Sequence, residues 1–205
     1  MNQQARILRT GRKFDQVLEG AREVFMADGF EGASVDDIAR AAGVSKATLY
    51  SYFPDKRLLF TEVLRNECQR QECGADDLIL QSCSVREVLE TAAERFLDVL
   101  LSDFSRRMFR ICVAEADRFP ELGQMFYQSG PMMVRERLTG YFREAAARGD
   151  LQIEDFDLAA DQFAELCKAD LLTRLVFNVS DSFSAAERQR IVQGAVETFL
   201  ARYGA

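Results

Sequence analysis

Six side chains in one short run, Lys46, Ala47, Thr48, Tyr50, Ser51 and Tyr52, offer an amine, a methyl and four hydroxyls with no carboxylate among them. Ser34 and Lys56 add a hydroxyl and an amine on either side. Such groups suit the surface of a nucleic acid. Hydroxyls and amines donate to phosphate oxygens, a lysine reaches guanine, and an alanine methyl touches the methyl of thymine. They do not suit catalysis. With no His in 205 residues, every Ser-His or Cys-His pair and every His-bearing metal site is excluded. The adjacent acids Asp36-Asp37 and Asp76-Asp77 point about 100° apart on a helix and make no shared general acid-base site. We therefore expect no enzyme, no metal and no cofactor.

To present those groups the chain needs a short helix held from behind. Ser45 is a good N-cap for a helix from Lys46 to about Phe53, and Pro54 ends it by forcing its predecessor out of the α region. Leu49 and Phe53, four apart, are expected inward against Phe25 and Ile38. Ahead of this, Ser34 caps a helix of two to three turns with Asp37 in the place of a capping-box acid, and Gly43 ends it. Phe14, Val17, Leu18, Ala21, Val24 and Phe25 trace one stripe of a first helix over residues 11–28, which Gly29 can close in a left-handed conformation. Two short helices joined by a three- to four-residue turn containing glycine make a helix-turn-helix, whose second helix enters the DNA major groove.

The net charge is -7, from 26 Lys plus Arg and 33 Asp plus Glu, which argues against DNA if the charge is spread evenly. It is not. Residues 1–60 carry nine basic and eight acidic side chains, and the rest of the chain 17 against 25. Arg6, Arg9, Arg12 and Lys13, with no acid beside them, make a short basic arm. A solvated tail and an arm following the minor groove or backbone are both open readings of it. Five scattered cysteines, Cys68, Cys73, Cys83, Cys112 and Cys167, fit neither a disulfide framework nor a metal knuckle and are read as small buried hydrophobes rather than redox sensors. With no run of about 18 apolar residues and no apolar signal region, a cytoplasmic protein without a membrane partner is expected.

A chain of this length buries roughly 70% of its unfolded surface and needs no metal or disulfide to hold a core. Only Pro54, Pro120 and Pro131 interrupt a 3.6-residue periodicity, which predicts an all-α protein. A long helix is expected from Asp55 to around Cys73, then helices near 84–102, 105–117, 120–129, 131–148, 157–178 and 184–203. This makes a three-helix head over residues 1–54 and a helical bundle over 55–205, about nine to ten helices in all. Residues 158–177 hold 13 apolar residues out of 20, too many for one stripe, so that helix should meet the core on one side and a second chain on the other. Val192, Val196, Phe199 and Tyr203 line one face of the last helix. A homodimer through these two helices follows.

Gly29-Phe30 and the run from Ser34-Val35-Asp36-Asp37-Ile38-Ala39-Arg40 through Gly43-Val44-Ser45-Lys46-Ala47-Thr48-Leu49-Tyr50-Ser51-Tyr52-Phe53-Pro54-Asp55-Lys56 resemble the DNA-binding signature of the TetR family of transcriptional regulators. The resemblance covers about residues 11–60. The remainder is similar to the AefR-like type of C-terminal domain, through Arg118-Phe119-Pro120-Glu121-Leu122 and the stretch from Gly149-Asp150-Leu151 to Asp157-Leu158-Ala159-Ala160-Asp161-Gln162-Phe163. The resemblance implies phosphate contacts by Ser34, Thr48, Tyr50, Tyr52 and Lys56, and base-edge contacts by Lys46, Ala47 and Ser51. Many relatives place histidine where Tyr52 stands and a bulky aromatic where Ser51 stands, so base preference does not carry over. Outside this motif, Tyr50 and Tyr52 are packing residues more often than phosphate ligands.

The same resemblance implies a sequence-specific regulator, a repressor, that binds a near-palindromic double-stranded operator as a dimer and is released by a small-molecule effector. Phe104, Phe109, Cys112, Met125, Phe126, Met132, Met133, Phe163 and Cys167 are candidates to line the effector cavity, although aromatic and methionine stripes at helical spacing are usually core. Arg174, Asp170 and Glu115 are polar anchors if they point inward, and surface ion pairs otherwise. The rival reading is a DNA-tethered interaction factor whose acidic C-terminal body docks a protein partner.

Overall fold

A computed structural model describes residues 11–72, 84–180 and 182–205. Eleven helices occur among them: α1 (Arg12–Gly32), α2 (Val35–Ala41), α3 (Lys46–Tyr52), α4 (Lys56–Glu72), α5 (Val85–Leu100), α6 (Asp103–Glu115), α7 (Pro120–Ser129), α8 (Pro131–Ala147), α9 (Phe156–Lys168), α10 (Leu171–Val176) and α11 (Ala185–Tyr203). Arg6, Arg9, Cys73, Cys83 and the pair Asp76-Asp77 lie outside the described residues. The chain packs as two compact units, the described parts of Met1–Arg70 with Arg107–Phe126, and of Gln71–Arg106 with Tyr127–Ala205.

In the first unit the stripe from Phe14 to Phe25 is buried as expected, and α1 bends at Gly29, whose φ of 73° suits glycine. Phe25, Phe30 and Phe60 form a ring-on-ring cluster, with Phe60 edge-on to the other two at centroid distances of 5.0 and 5.3 Å. Phe119, from the segment before α7, closes on Phe30 at 5.5 Å. Each such aromatic pair adds about 0.5–1.5 kcal/mol beyond area burial. Gly20 sets how closely α1 and α2 cross. A Cβ there would stand 2.5 Å from the Ala42 nitrogen and 2.8 Å from the Ala42 Cβ.

The second unit is built around α5, α8, α9 and α11. Phe142, Phe163, Phe199 and Tyr203 pack tilted or edge-on through it, with Phe199 4.8 Å from Phe142 and 5.2 Å from Phe163. Val192, Val196, Phe199 and Tyr203 are all buried, as the last-helix stripe predicts. Capping boxes start two of these helices, Ser84 with Glu87 on α5 and Ser184 with Glu187 on α11. The chain end is tied down by the Gln152 N–H donating to the Tyr203 carbonyl at 2.8 Å and by the Tyr203 hydroxyl donating to Gln162 Oε1 at 2.6 Å.

One expected helix is divided. In place of a continuous 157–178 helix, α9 stops at Lys168 and α10 restarts at Leu171, which accounts for eleven helices where ten were the upper expectation. The break is a turn at Asp170, with φ 59°, a conformation that Asp tolerates better than most side chains. It lets Phe163 and Cys167 on one side and Leu171 and Leu175 on the other all reach the core.

Both described cysteine side chains, Cys112 and Cys167, are buried in these cores. Burial pushes each thiol up to about 12, with Lys168 opposing the shift at Cys167.

Gly20→Ala should lower stability by about 1–3 kcal/mol despite alanine's better helix propensity, read from the denaturant midpoint; an unchanged midpoint would mean the α1–α2 crossing yields freely. At pH 8 only about one part in ten thousand of a thiol with a pKa near 12 is thiolate. Cys112 and Cys167 should therefore resist a disulfide reagent in the native protein and react in denaturant, and native-state labelling mapped to either one would contradict their burial.

Candidate nucleic-acid interface

The turn between α2 and α3 is made by its own backbone. Gly43 takes φ 64°, and the Val44 N–H donates to the Ala39 carbonyl at 3.0 Å. Ser45 then caps α3, its Oγ accepting from the Thr48 N–H at 3.1 Å. At the other end Phe53 is extended, with φ -130° and ψ 106°, as the following Pro54 requires. Leu49 and Phe53 are fully buried and fix which side of α3 faces out. Phe53 stacks on Phe14 at 5.5 Å.

The outward side is the one the sequence predicts. Lys46, Ala47, Tyr50 and Ser51 are exposed, and Thr48 and Tyr52 are half-buried. Tyr52 sets its ring edge-on to Phe14 at 5.8 Å, so packing fixes its direction. The Ser51 hydroxyl donates to the Thr48 carbonyl at 2.6 Å and keeps its lone pairs for incoming donors. Thr48 Oγ1 lies 2.9 Å from Ser45 Oγ. Lys46 pairs with the Asp36 carboxylate of α2.

Ser34 and Lys56 have structural partners. Ser34 Oγ caps α2 by accepting from the Asp37 N–H at 3.1 Å, and it donates to the Asp37 carboxylate. That hydrogen bond, helped by Arg40, holds the Asp37 carboxyl below its usual range. Lys56 Nζ donates to the carbonyls of Phe30 at 2.6 Å, Ala33 at 3.1 Å and Glu31 at 3.4 Å, and sits 4.7 Å from the centre of the Phe30 ring. Its three hydrogens already meet three acceptors. Of the basic arm, Arg12 and Lys13 are exposed in the first turn of α1.

Sequence reasoning passed over Asp36 as a partner of α3. The signal was available, an acid at the start of one helix and a lysine at the start of the next, but only the turn geometry brings them together. Arg40, paired with Asp37 at 2.6 Å and largely exposed, was passed over as well.

The nine cavity candidates divide between the units. Phe109, Cys112, Met125 and Phe126 belong to the first, where Phe109 and Phe126 pair at 5.8 Å. Phe104, Met132, Met133, Phe163 and Cys167 belong to the second. There Phe163 and Cys167 are core side chains and Met132 is exposed. Arg174 bonds Glu187 at 3.2 Å and lies over the Phe183 ring, and Asp170 is 3.8 Å from Arg174. These are the ion pairs of the alternative reading. Glu115 is half-buried at the end of α6, its carbonyl accepting from Phe119 N–H at 2.7 Å.

Along α9 and α11 runs an open groove of about 690 Å³, lined by Leu158, Gln162, Leu166, Phe199, Arg202 and their neighbours. Leu158 is 50% exposed there, a large apolar side chain left to water. No described helix is long and apolar enough to cross a membrane.

Known proteins are similar to this chain in sequence and fold. Residues 17–63 match the family described as bacterial regulatory proteins, tetR family, and residues 87–205 match the AefR-like transcriptional repressor C-terminal domain. The chain is 35% identical to the transcriptional activator FasR of Mycolicibacterium smegmatis over 43% of its own length, which spans 40% of that protein. Among solved structures, a TetR-family transcriptional regulator from Mesorhizobium loti is 29% identical with a TM-score of 0.87, covering 95% of this chain and 98% of that one. The flavonoid-responsive regulator FrrA is 33% identical with a TM-score of 0.80 over the same shares of both chains. These relatives are regulators rather than enzymes. A capped helix-turn-helix on a helical body, matched along nearly the whole chain, places this protein in the TetR family of transcriptional regulators, with an AefR-like C-terminal domain.

Proposed function

We propose that the chain is a dimeric operator-binding repressor in which α3 reads the major groove. The observation that carries this is the outward face of α3, four exposed residues with an amine and hydroxyls but no acid, backed by buried Leu49 and Phe53. Lys46, Ala47 and Ser51 meet base edges, and Thr48, Tyr50 and Tyr52 meet phosphates. Ser34 and Lys56, their donor hydrogens held by Asp37 and by three backbone carbonyls, fix the starts of α2 and α4 rather than grip phosphate. Residues 1–54 act as the DNA-binding head and residues 55–205 as the dimerising and sensing part. Repression is supported by the description of the matched C-terminal domain.

Two heads on a two-fold axis reach successive major grooves about 34–36 Å apart, so the operator is a near-palindrome. The groove on α9 and α11 and the exposed Leu158 support a homodimer through these helices. A small-molecule effector that binds better to a body with its heads mis-spaced releases DNA, and moving the equilibrium from 1:99 to 99:1 takes about 5.5 kcal/mol of differential affinity. The similarity to a flavonoid-responsive regulator supports such an effector.

Selection of bound duplexes from a random pool, repeated with a metabolite library for release, tests the whole reading. Lys46→Ala should weaken the selected duplex by about 1–3 kcal/mol and relax one base position, whereas unchanged discrimination rules out base reading by Lys46. Tyr50→Phe should weaken all duplexes alike, and a sequence-dependent loss would place Tyr50 on a base instead. Leu158→Asp should raise the dimer dissociation constant about tenfold or more by burying a charge in the interface, measured by sedimentation; an intact dimer would move the interface elsewhere.

A further inference from the structure

Lys46 does not wait for DNA as a free cation. Its ammonium pairs with the Asp36 carboxylate across the turn, with 58% and 53% of the two side chains exposed. The neighbouring acid is engaged close by, since Asp37 is bonded by Ser34 and Arg40. Over residues 35–52 the charges are Asp36 and Asp37 against Arg40 and Lys46 and sum to zero, and Asp36 is the acid that offsets Lys46 at close range.

We propose that Asp36 is a positioning residue that sets specificity by aiming Lys46 at neutral base acceptors and away from phosphates. The inference rests on the assignment of α3 as the reading helix. An ammonium has three donors, so Lys46 can keep Asp36 and still donate to guanine O6 or N7. A phosphate is a different acceptor. Sharing one ammonium between a carboxylate and a phosphate brings two anions together, so gripping the backbone requires leaving Asp36. Exposed ion pairs hold only by a factor of about one to five. That is enough to suppress a solvated phosphate contact and too little to resist a base contact that discriminates by about fivefold to a hundredfold.

The test compares the duplex selected from a random pool with the same duplex after scrambling both half-sites, across a salt series. Asp36→Asn should tighten the scrambled duplex about fivefold and steepen its log-log salt slope by about 0.9, one added phosphate contact. The selected duplex should change by less than about twofold, so discrimination falls. In a Lys46→Ala background the same substitution should shift both duplexes by one common factor with no change of slope. Asp36→Ser, checked for folding by circular dichroism, should reproduce the signs. Discrimination and slope left untouched by Asp36→Asn would overturn the proposal alone, as would an identical loss of discrimination without Lys46, which would make Asp36 a bulk charge. A wild-type protein that binds both duplexes equally overturns the reading of α3 and this proposal with it.

Discussion

The exit from α1 is the constraint on which the first unit depends. A helix end leaves carbonyls without intrahelical partners, and here cationic side chains from later in the chain take them. Lys56 meets the carbonyls of Phe30, Glu31 and Ala33, and Arg107 meets that of Met26. Hydrogen bonds to charged groups are worth about 1.5–3 kcal/mol each. Because Lys56 opens α4 and Ala33 directly precedes the cap of α2, one ammonium fixes where two helices begin relative to α1. Gly29 supplies the bend that turns these carbonyls toward it.

Around that corner, ion pairs and rings act together with different weights. Arg118 reaches Glu31, Arg57 bonds Glu121 at 2.9 Å, and Arg22 bonds Glu67 at 3.2 Å. The first two pairs are exposed and contribute about 0–1 kcal/mol each, less as salt rises. The Phe25, Phe30, Phe60 and Phe119 contacts are apolar and indifferent to salt. Packing and the half-buried Lys56 bonds therefore hold the corner and the exposed ion pairs tune it, so salt that weakens a phosphate contact leaves the helix-turn-helix itself in place. A salt-dependent loss of DNA affinity then reports on the interface and not on unfolding.

Much of this was legible in the residues. Ser34 and Ser45 as caps, Gly43 as the turn, Pro54 as the stop and Leu49 with Phe53 as the buried side all follow from local chemistry, which acts within a few positions. What was not legible depended on contacts across the fold. The break at Asp170 leaves the apolar count of its helix unchanged, so periodicity carried straight through it. Lys56 reads as a phosphate ligand until three carbonyls are found around it. The cavity candidates were chosen by residue type, and type does not distinguish Phe163, packed on Phe199, from a side chain lining a pocket.

Charge is where the chain total misleads most. The value of -7 describes a whole surface, but at physiological ionic strength a solvent-exposed charge is largely screened beyond about 8 Å. Only groups within that reach of a phosphate contribute to binding. Across residues 35–52 the formal charge is zero, so what the exposed side of these two helices offers a duplex on the proposed reading is hydroxyl donors more than net cation. Counterion release scales with the number of phosphates neutralised. If α2 and α3 form the reading surface as proposed, its neutrality implies weak attachment to arbitrary DNA, with any undirected attraction coming from cations outside it. On the proposed reading, sequence preference then comes from directional donors on α3, since little undirected attraction is left to compete with them.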